Sequence, residues 1–222
     1  MQLGVARRWP YGRRVPSLVD LLIPLRCAAC GRPARRGLCD GCLVAAIDLV
    51  LPLSATELIA PGVAAIGAFA YDGVIRDAVR GMKAAGRHAA AVPLGALLRI
   101  RAGAASEWVT TWVPSMPRRL RERGFDVPRL LAGPGAVPLL RRRVDRPDQT
   151  TLSAAQRRAF PADAFVAVGP VPADVLLVDD VRTTGATASA AAGALLSAGA
   201  ARVLVVTLAI GGDWARARGG TG

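Results

Sequence analysis

The sequence is short of lysine, histidine and aromatic side chains. Lys83 is the only lysine among 29 basic residues, and His88 is the only histidine. A single histidine leaves no partner for a histidine-built metal centre. Aromatic residues amount to 5%, too few rings for a platform that stacks successive bases. Long apolar runs are also missing. The longest uncharged candidate, residues 183–201, reads TTGATASAAAGALLSAGAA with only two leucines, too weakly apolar to exchange water for lipid. No membrane span is expected. The N-terminal residues carry arginines but no apolar stretch of signal-peptide length, so the expected location is the cytoplasm. Acidic residues are scarce as well, 16 against 29 basic ones, for a formal net charge of +13. Polyanions or phosphorylated small molecules are the partners such a surface favours.

What is present suffices for a folded protein. The chain has 222 residues, 52% hydrophobic and 20% charged, enough for one substantial domain and a small appendage. Residues 1–16 are Arg-rich and Pro-interrupted and read as an exposed arm, followed by a short apolar helix over 18–23. A boundary near residue 60 separates a basic arm and cysteine module (1–60) from a larger unit (61–222). That unit alternates apolar runs with helical patterns. Strands are expected over 63–71, 108–113, near 137–144, and over 165–168, 175–178 and 203–210. GVIRDAVRGMK places Val74, Ile75, Ala78, Val79 and Met82 on one helical face. Short continuous apolar runs of this kind fit a parallel sheet covered on both faces, hence an α/β fold. The tail GGDWARARGGTG reads as frayed.

All four cysteines lie within sixteen positions: Cys27 and Cys30 in CAAC, then Cys39 and Cys42 in CDGC. Each Cys-x2-Cys pair turns back on itself to present two thiolates, and together they make the four soft ligands of a tetrahedral zinc site. Two disulfides or a redox pair compete with this reading, but a reducing compartment opposes the first and duplication of the motif the second. An iron–sulfur cluster is the remaining alternative. A four-thiolate zinc is closed to substrate and therefore structural. Arg26, Arg32, Arg35 and Arg36 surround the cluster; they read either as a nucleic-acid contact or as a solvated basic surface.

The sharpest signal is VLLVDDVRTTGATASAAAGALL at 175–196. An apolar strand runs into two adjacent carboxylates, then a turn of small and hydroxyl residues, then a helix. Carboxyl ends of parallel strands face the ligand crevice, which puts Asp179 and Asp180 where a small molecule would lie. Backbone N–H groups and hydroxyls of Arg182, Thr183, Thr184, Gly185, Ala186 and Thr187 can converge on one phosphate, with a helix N-terminus behind. Ionised carboxylates accept hydrogen bonds only, so the aspartates suit a vicinal diol beside that phosphate. A phosphate next to a diol describes a ribose 5-phosphate. The competing reading is an N-capped helix after a strand, with the aspartates as caps. A dinucleotide site fits poorly because its glycine fingerprint is absent.

The run VLLVDDVRTTGAT resembles the binding loop of type I phosphoribosyltransferases, which recognise 5-phosphoribosyl 1-pyrophosphate. With the N-terminal four-cysteine module, WVPSMPRRLRERGFD at 112–126 and DQTTLSAAQRR at 148–158, the chain resembles the ComF family over residues 18–210. That family includes proteins associated with DNA uptake in competent bacteria. The family pattern continues RGF with Asn and Gln, where Asp126 and Val127 stand here.

The resemblance implies a parallel-sheet type I phosphoribosyltransferase fold for 61–222. It implies a pyrophosphate loop at 114–118, with Pro114, Ser115 and Arg118 as binding residues and Arg119, Arg121 and Arg123 as further positive charge. Loop or helical spacing prevents all four arginines from facing one ligand. It further implies a hood over 145–162 that closes on the substrate, with Gln149 and Arg157 as its candidates. Asp179, Asp180 and Arg157 are then the candidate catalytic residues, and Mg2+ accompanies the ligand, held largely by its oxygens. Lys83, alone in an arginine-rich chain, invites a functional role, although a solvated helix end is the ordinary reading. His88 reads as a surface or capping residue. Two functions follow. One is a transferase that passes the ribosyl phosphate to a nitrogen nucleophile with release of pyrophosphate. The other is a non-catalytic accessory protein that binds the same ligand and, through its basic N-terminal region, single-stranded DNA. A degenerate relative without ligand is the third and least consistent with an intact DD and TTGAT. Self-association into a homo-oligomer is left open.

Overall fold

The computed structural model describes residues 25–53, 56–84, 87–143, 161 and 163–212. The N-terminal arm, the helix expected over 18–23, nearly all of the hood with Gln149 and Arg157, and the last ten residues lie outside them.

Five strands form the central sheet: β1 (Glu57–Ala60), β2 (Val63–Ala70), β3 (Val109–Trp112), β6 (Asp174–Arg182) and β7 (Arg202–Ile210). Their order is β1-β2-β7-β6-β3, and all pairings are parallel except β1 with β2. The chain is thus a mixed α/β protein with a mostly parallel central sheet. Strand alternation explains why both faces are apolar. Val175, Leu177, Val203 and Val205 pack on one face under α6 (Ala186–Ser197). Leu176, Val178, Val206 and Leu208 pack on the other. That second face is covered by α2 (Gly73–Ala84), α3 (Ala91–Ala102) and α5 (Val127–Ala132). In α2 the expected stripe is observed: Ile75, Ala78, Val79 and Met82 are buried with Gly81, and Val74 packs at its edge.

Two expected strands fall elsewhere. Residues 137–144 and 165–168 contribute β4 (Leu140–Arg142) and β5 (Phe165–Ala167), an antiparallel ribbon separate from the main sheet. Three residues with one apolar face cannot serve as a strand buried on both sides; Leu139, Leu140 and Phe165 instead close the α6 side of the core. The run at 108–113 is a sheet edge rather than a fully buried strand. β3 pairs with β6 alone in the main sheet, and Val109 is exposed. Its outer side is met by residues after α5: the Val137 N–H donates to the Thr110 carbonyl at 2.9 Å and the Leu139 N–H to Thr111 Oγ1 at 3.2 Å.

The uncharged stretch at 183–201 folds as a bend and the twelve-residue α6. Among the described residues no helix is long and apolar enough to cross a membrane.

The cysteine module, including α1 (Asp40–Ile47), shares the α2–α3 side of the core through Cys27, Ala28, Leu38 and Ala46. Contact is close enough to demand glycine in α2. A Cβ at Gly81 would lie 1.8 Å from the Ala28 carbonyl oxygen. Arg87 adds a hydrogen bond from Nη1 to the Cys27 carbonyl at 3.1 Å.

Candidate functional site

β6 continues past its apolar run through Asp179 and Asp180 to Arg182, so both carboxylates emerge at the carboxyl end of a central strand. Asp179 and Asp180 are buried at 7% exposure each. Each folds back on the chain: Asp179 Oδ1 accepts the Asp180 N–H at 2.8 Å, and Asp180 Oδ1 accepts the Val181 N–H at 2.7 Å. Burial, reinforced by the neighbouring Asp180 charge, pushes the Asp179 carboxyl well above the usual carboxylate range, against the opposing pull of the Asp180 N–H and Lys83.

Lys83 meets the acid pair from the last turn of α2, with Nζ 2.5 Å from Asp180 Oδ2. It is not a solvated helix end. Nothing local in MKAAGRH announces this, because the contact spans the gap between two elements far apart in sequence. Its being the chain's only lysine was the one available hint.

The residues 114–116 connect β3 to α4 (Pro117–Arg123) across the crevice from the aspartates. Asp126 organises this loop. Its Oδ1 accepts the Ser115 hydroxyl at 2.7 Å, and its Oδ2 accepts the Ser115 N–H and Trp112 Nε1, both at 3.2 Å. Burial pushes the Asp126 carboxyl up and the Asp180 charge adds to this, while the three donors pull the other way. Arg129 stacks over Trp112 at 5.6 Å, holding the loop's far side.

These elements enclose a cavity of about 590 Å³. Pro114, Ser115, Arg118, Asp179, Asp180 and Thr187 line it, so six of the expected site residues are brought together. Lys83, Arg119, Arg123 and Arg142 also line it, giving five cationic side chains with Arg118 beside the buried acids. Arg118 also pairs with Glu122 at 2.9 Å on the exposed face of α4. Arg121 does not line the cavity, as the limit on four neighbouring arginines anticipates.

The bend between β6 and α6 sits at the cavity's edge. Thr183, Thr184 and Ala186 are exposed, and Gly185 is buried in a left-handed conformation at φ +80°. That conformation lets the chain turn from strand to helix without a Cβ penalty. No side chain caps α6 at Gly185; the Ala186 N–H makes one long contact to Thr184 Oγ1 at 3.4 Å. The aspartates are therefore not caps of this helix. Arg182 points elsewhere. Its side chain is 3% exposed and pairs through Nη1 with Glu57 on β1 at 2.9 Å, with Nε and Nη2 unpartnered among the described residues. Its side chain ties the sheet edge to the bend.

The sulfur cluster is a separate centre. Cys27, Cys30, Cys39 and Cys42 are free thiols whose Sγ atoms all lie within 4.8 Å of one another. Tetrahedral ligands at about 2.3 Å from a metal stand about 3.8 Å apart, and Cys30 Sγ to Cys39 Sγ is 3.6 Å. The four are positioned to bind a metal ion. Burial opposes ionisation of Cys27, but N–H groups of Cys30, Cys39 and Ala29 outweigh it and bring the thiol down to about 6. Burial and the neighbouring sulfurs raise Cys42. Arg26, Arg32, Arg35 and Arg36 are all exposed around the cluster. His88 takes no part in it; its ring packs on Phe125 at 4.6 Å between centroids.

Fold and site together define a mixed α/β protein with an arginine-lined, acid-floored crevice at the carboxyl ends of parallel strands and a four-thiol centre docked on one face. No protein-family model matches the chain, and no curated protein matches it.

Proposed function

We propose that the crevice binds 5-phosphoribosyl 1-pyrophosphate and that the protein is a phosphoribosyltransferase-type protein of the ComF kind. The observation that carries this reading is the joining of the Asp179–Asp180 pair to five cationic side chains across one cavity. A purely cationic pocket would suit any polyanion; buried acceptors opposite a basic wall suit a ligand with phosphates at both ends and hydroxyls between them. The bend at 183–187, exposed at Thr183, Thr184 and Ala186, offers N–H groups and hydroxyls to the 5-phosphate. Asp179 and Asp180 accept from the ribose hydroxyls. Lys83, Arg118, Arg119, Arg123 and Arg142 face the pyrophosphate.

A nitrogen nucleophile then forms its bond to the anomeric carbon as the bond to pyrophosphate oxygen breaks, and the leaving group departs with that electron pair. The nucleophile's surplus proton passes to solvent. The protein contributes position and field: basic side chains hold the departing charge while the acid pair fixes the ring and favours positive charge developing on it. Mg2+, if bound, would supply further neutralisation of the pyrophosphate, held largely by ligand oxygens, and Asp179 and Asp180 are the cavity carboxylates that would hold it from the protein side. At the sulfur centre, the four-thiol set and its spacing support a closed structural zinc.

Calorimetric titration with the magnesium complex of the ligand tests the reading. Binding should occur and weaken by about tenfold or more in Asp180→Asn; no binding by the wild type refutes it. A panel of purines, pyrimidines, ammonia and no acceptor, followed by pyrophosphate release, separates transferase from binder. The second reading, a DNA-binding accessory protein, is favoured by the four exposed arginines of the cysteine module. It requires salt-dependent single-strand affinity that is lost when those arginines are neutralised, without pyrophosphate release.

A further inference from the structure

The first four residues of the loop expected to grip pyrophosphate, 114–117, have almost none of their own donors free to do so. Within 114–117 two residues are proline and offer no N–H. Ser115 has two donors, and Asp126 takes both: the hydroxyl at 2.7 Å and the N–H at 3.2 Å. Met116 N–H is the only backbone donor of these four residues that neither proline lacks nor Asp126 takes. With its proton committed to the carboxylate, the Ser115 hydroxyl turns lone pairs, not a proton, toward the cavity it lines. A bare phosphate oxygen meeting those lone pairs is repelled. A donor meeting them is bound.

We propose that Asp126 makes this subsite selective for hydrated magnesium pyrophosphate over the free anion, by holding Ser115 as a hydrogen-bond acceptor toward the ligand's metal-bound water. This rests on the reading of the crevice as a pyrophosphate site and names a specificity residue for it. Asp126 is not itself a contact residue of the reacting atoms. It is 8% exposed and acts through Ser115. An asparagine at 126 reverses the polarity. Its carbonyl oxygen still accepts from Trp112 Nε1 and the Ser115 N–H, while its amide donates to Ser115 Oγ, and the serine proton becomes free to reach a phosphate oxygen. The same change removes a negative charge near the cavity, which by itself favours any anion, so the serine must be tested together with it.

The experiment is calorimetric titration of inorganic pyrophosphate, with Mg2+ and with a chelator, into full-length wild type, Asp126→Asn, Ser115→Ala and the double variant. Circular dichroism and melting curves establish that each is folded. Wild type should prefer the magnesium form by about tenfold or more. Asp126→Asn should gain about tenfold for the metal-free anion, narrowing that preference, and most of the gain should disappear in the Asp126→Asn/Ser115→Ala protein, leaving only the part due to the lost charge. Ser115→Ala alone should raise metal-free affinity slightly and lower affinity for the magnesium form, since it removes an acceptor that repels the bare anion and holds the metal-bound water. A preference unaltered in Asp126→Asn, or a gain undiminished without the serine hydroxyl, overturns the assignment to Ser115 polarity. So does a loss of metal-free affinity in Ser115→Ala, which needs no change at Asp126. Failure of the broader reading is recognisably different: wild type then binds neither form of pyrophosphate.

Discussion

Lys83 Nζ lies 2.5 Å from Asp180 Oδ2, joining the last turn of α2 to the end of β6. The pair places one cation against the acid pair, inside the cavity that both residues line.

Replacing Lys83 by Met keeps the apolar stem and removes the charge. The affinity for magnesium pyrophosphate should drop about tenfold, with Lys83→Arg in between, because a charge-assisted contact is lost. Isothermal titration checks this. Equal affinities in wild type and Lys83→Met would leave the lysine a structural partner of Asp180 alone.

Asp179 provides a pH signature. Its folded-state pKa is raised, first by burial and then by the Asp180 charge. The folded state therefore holds a proton that the unfolded chain, titrating near 3.9, has released. Stability contributed by that proton is complete below the unfolded value and is lost as pH rises through the folded one. Asp179→Asn retains an oxygen for the Asp180 N–H and never ionises. Its Tm should match wild type near pH 4 and exceed it progressively toward pH 8, by on the order of 1 kcal/mol or a few degrees. A gap that closes with rising pH contradicts this.

Gly185 turns the chain at φ +80°, with the nearest side-chain atom, Ile59 Cγ2, 3.6 Å from a built Cβ. Space is available, so the cost of Gly185→Ala is conformational, about 1 kcal/mol. Affinity for ribose 5-phosphate should weaken while magnesium pyrophosphate binding stays close to wild type. Loss of both to the same degree would show that the bend supports the whole crevice rather than one phosphate.

Zinc content and docking are separable at the sulfur centre. One zinc per chain is expected by elemental analysis, and a strong chelator should lower Tm because Cys27 and Ala28 belong to the shared core. In Gly81→Ala the new Cβ collides with the Ala28 carbonyl. Stability should fall by about 1–3 kcal/mol while zinc remains stoichiometric. Unfolding on chelation without any zinc released would remove the metal from the account.

Local signals were the ones readable in advance. VLLVDDVRTTGAT writes strand, acid pair, bend and helix in one continuous segment, and the α2 stripe follows from helical period alone. The cysteine spacing likewise announced a cluster that the folded chain assembles. Apolarity without pairing information misassigned 137–144 and 165–168 to the parallel sheet, because a short apolar run reads the same whether it pairs in a sheet or caps its face. Lys83 and Asp126 escaped for a different reason: their meaning lies in partners from distant segments.

By itself the sequence determined the strand, bend and helix of 175–196, the apolar stripe of α2, the four-thiol set and the adjacency of Asp179 to Asp180, since each depends on neighbours a few residues apart. Tertiary structure alone decided that Lys83 enters the acid pair, that Asp126 commandeers the donors of Ser115, and that Arg182 leaves the bend for Glu57. Those relations depend on which helix packs over which strand end, and a buried charge takes whatever compensating partner that packing brings within hydrogen-bonding reach.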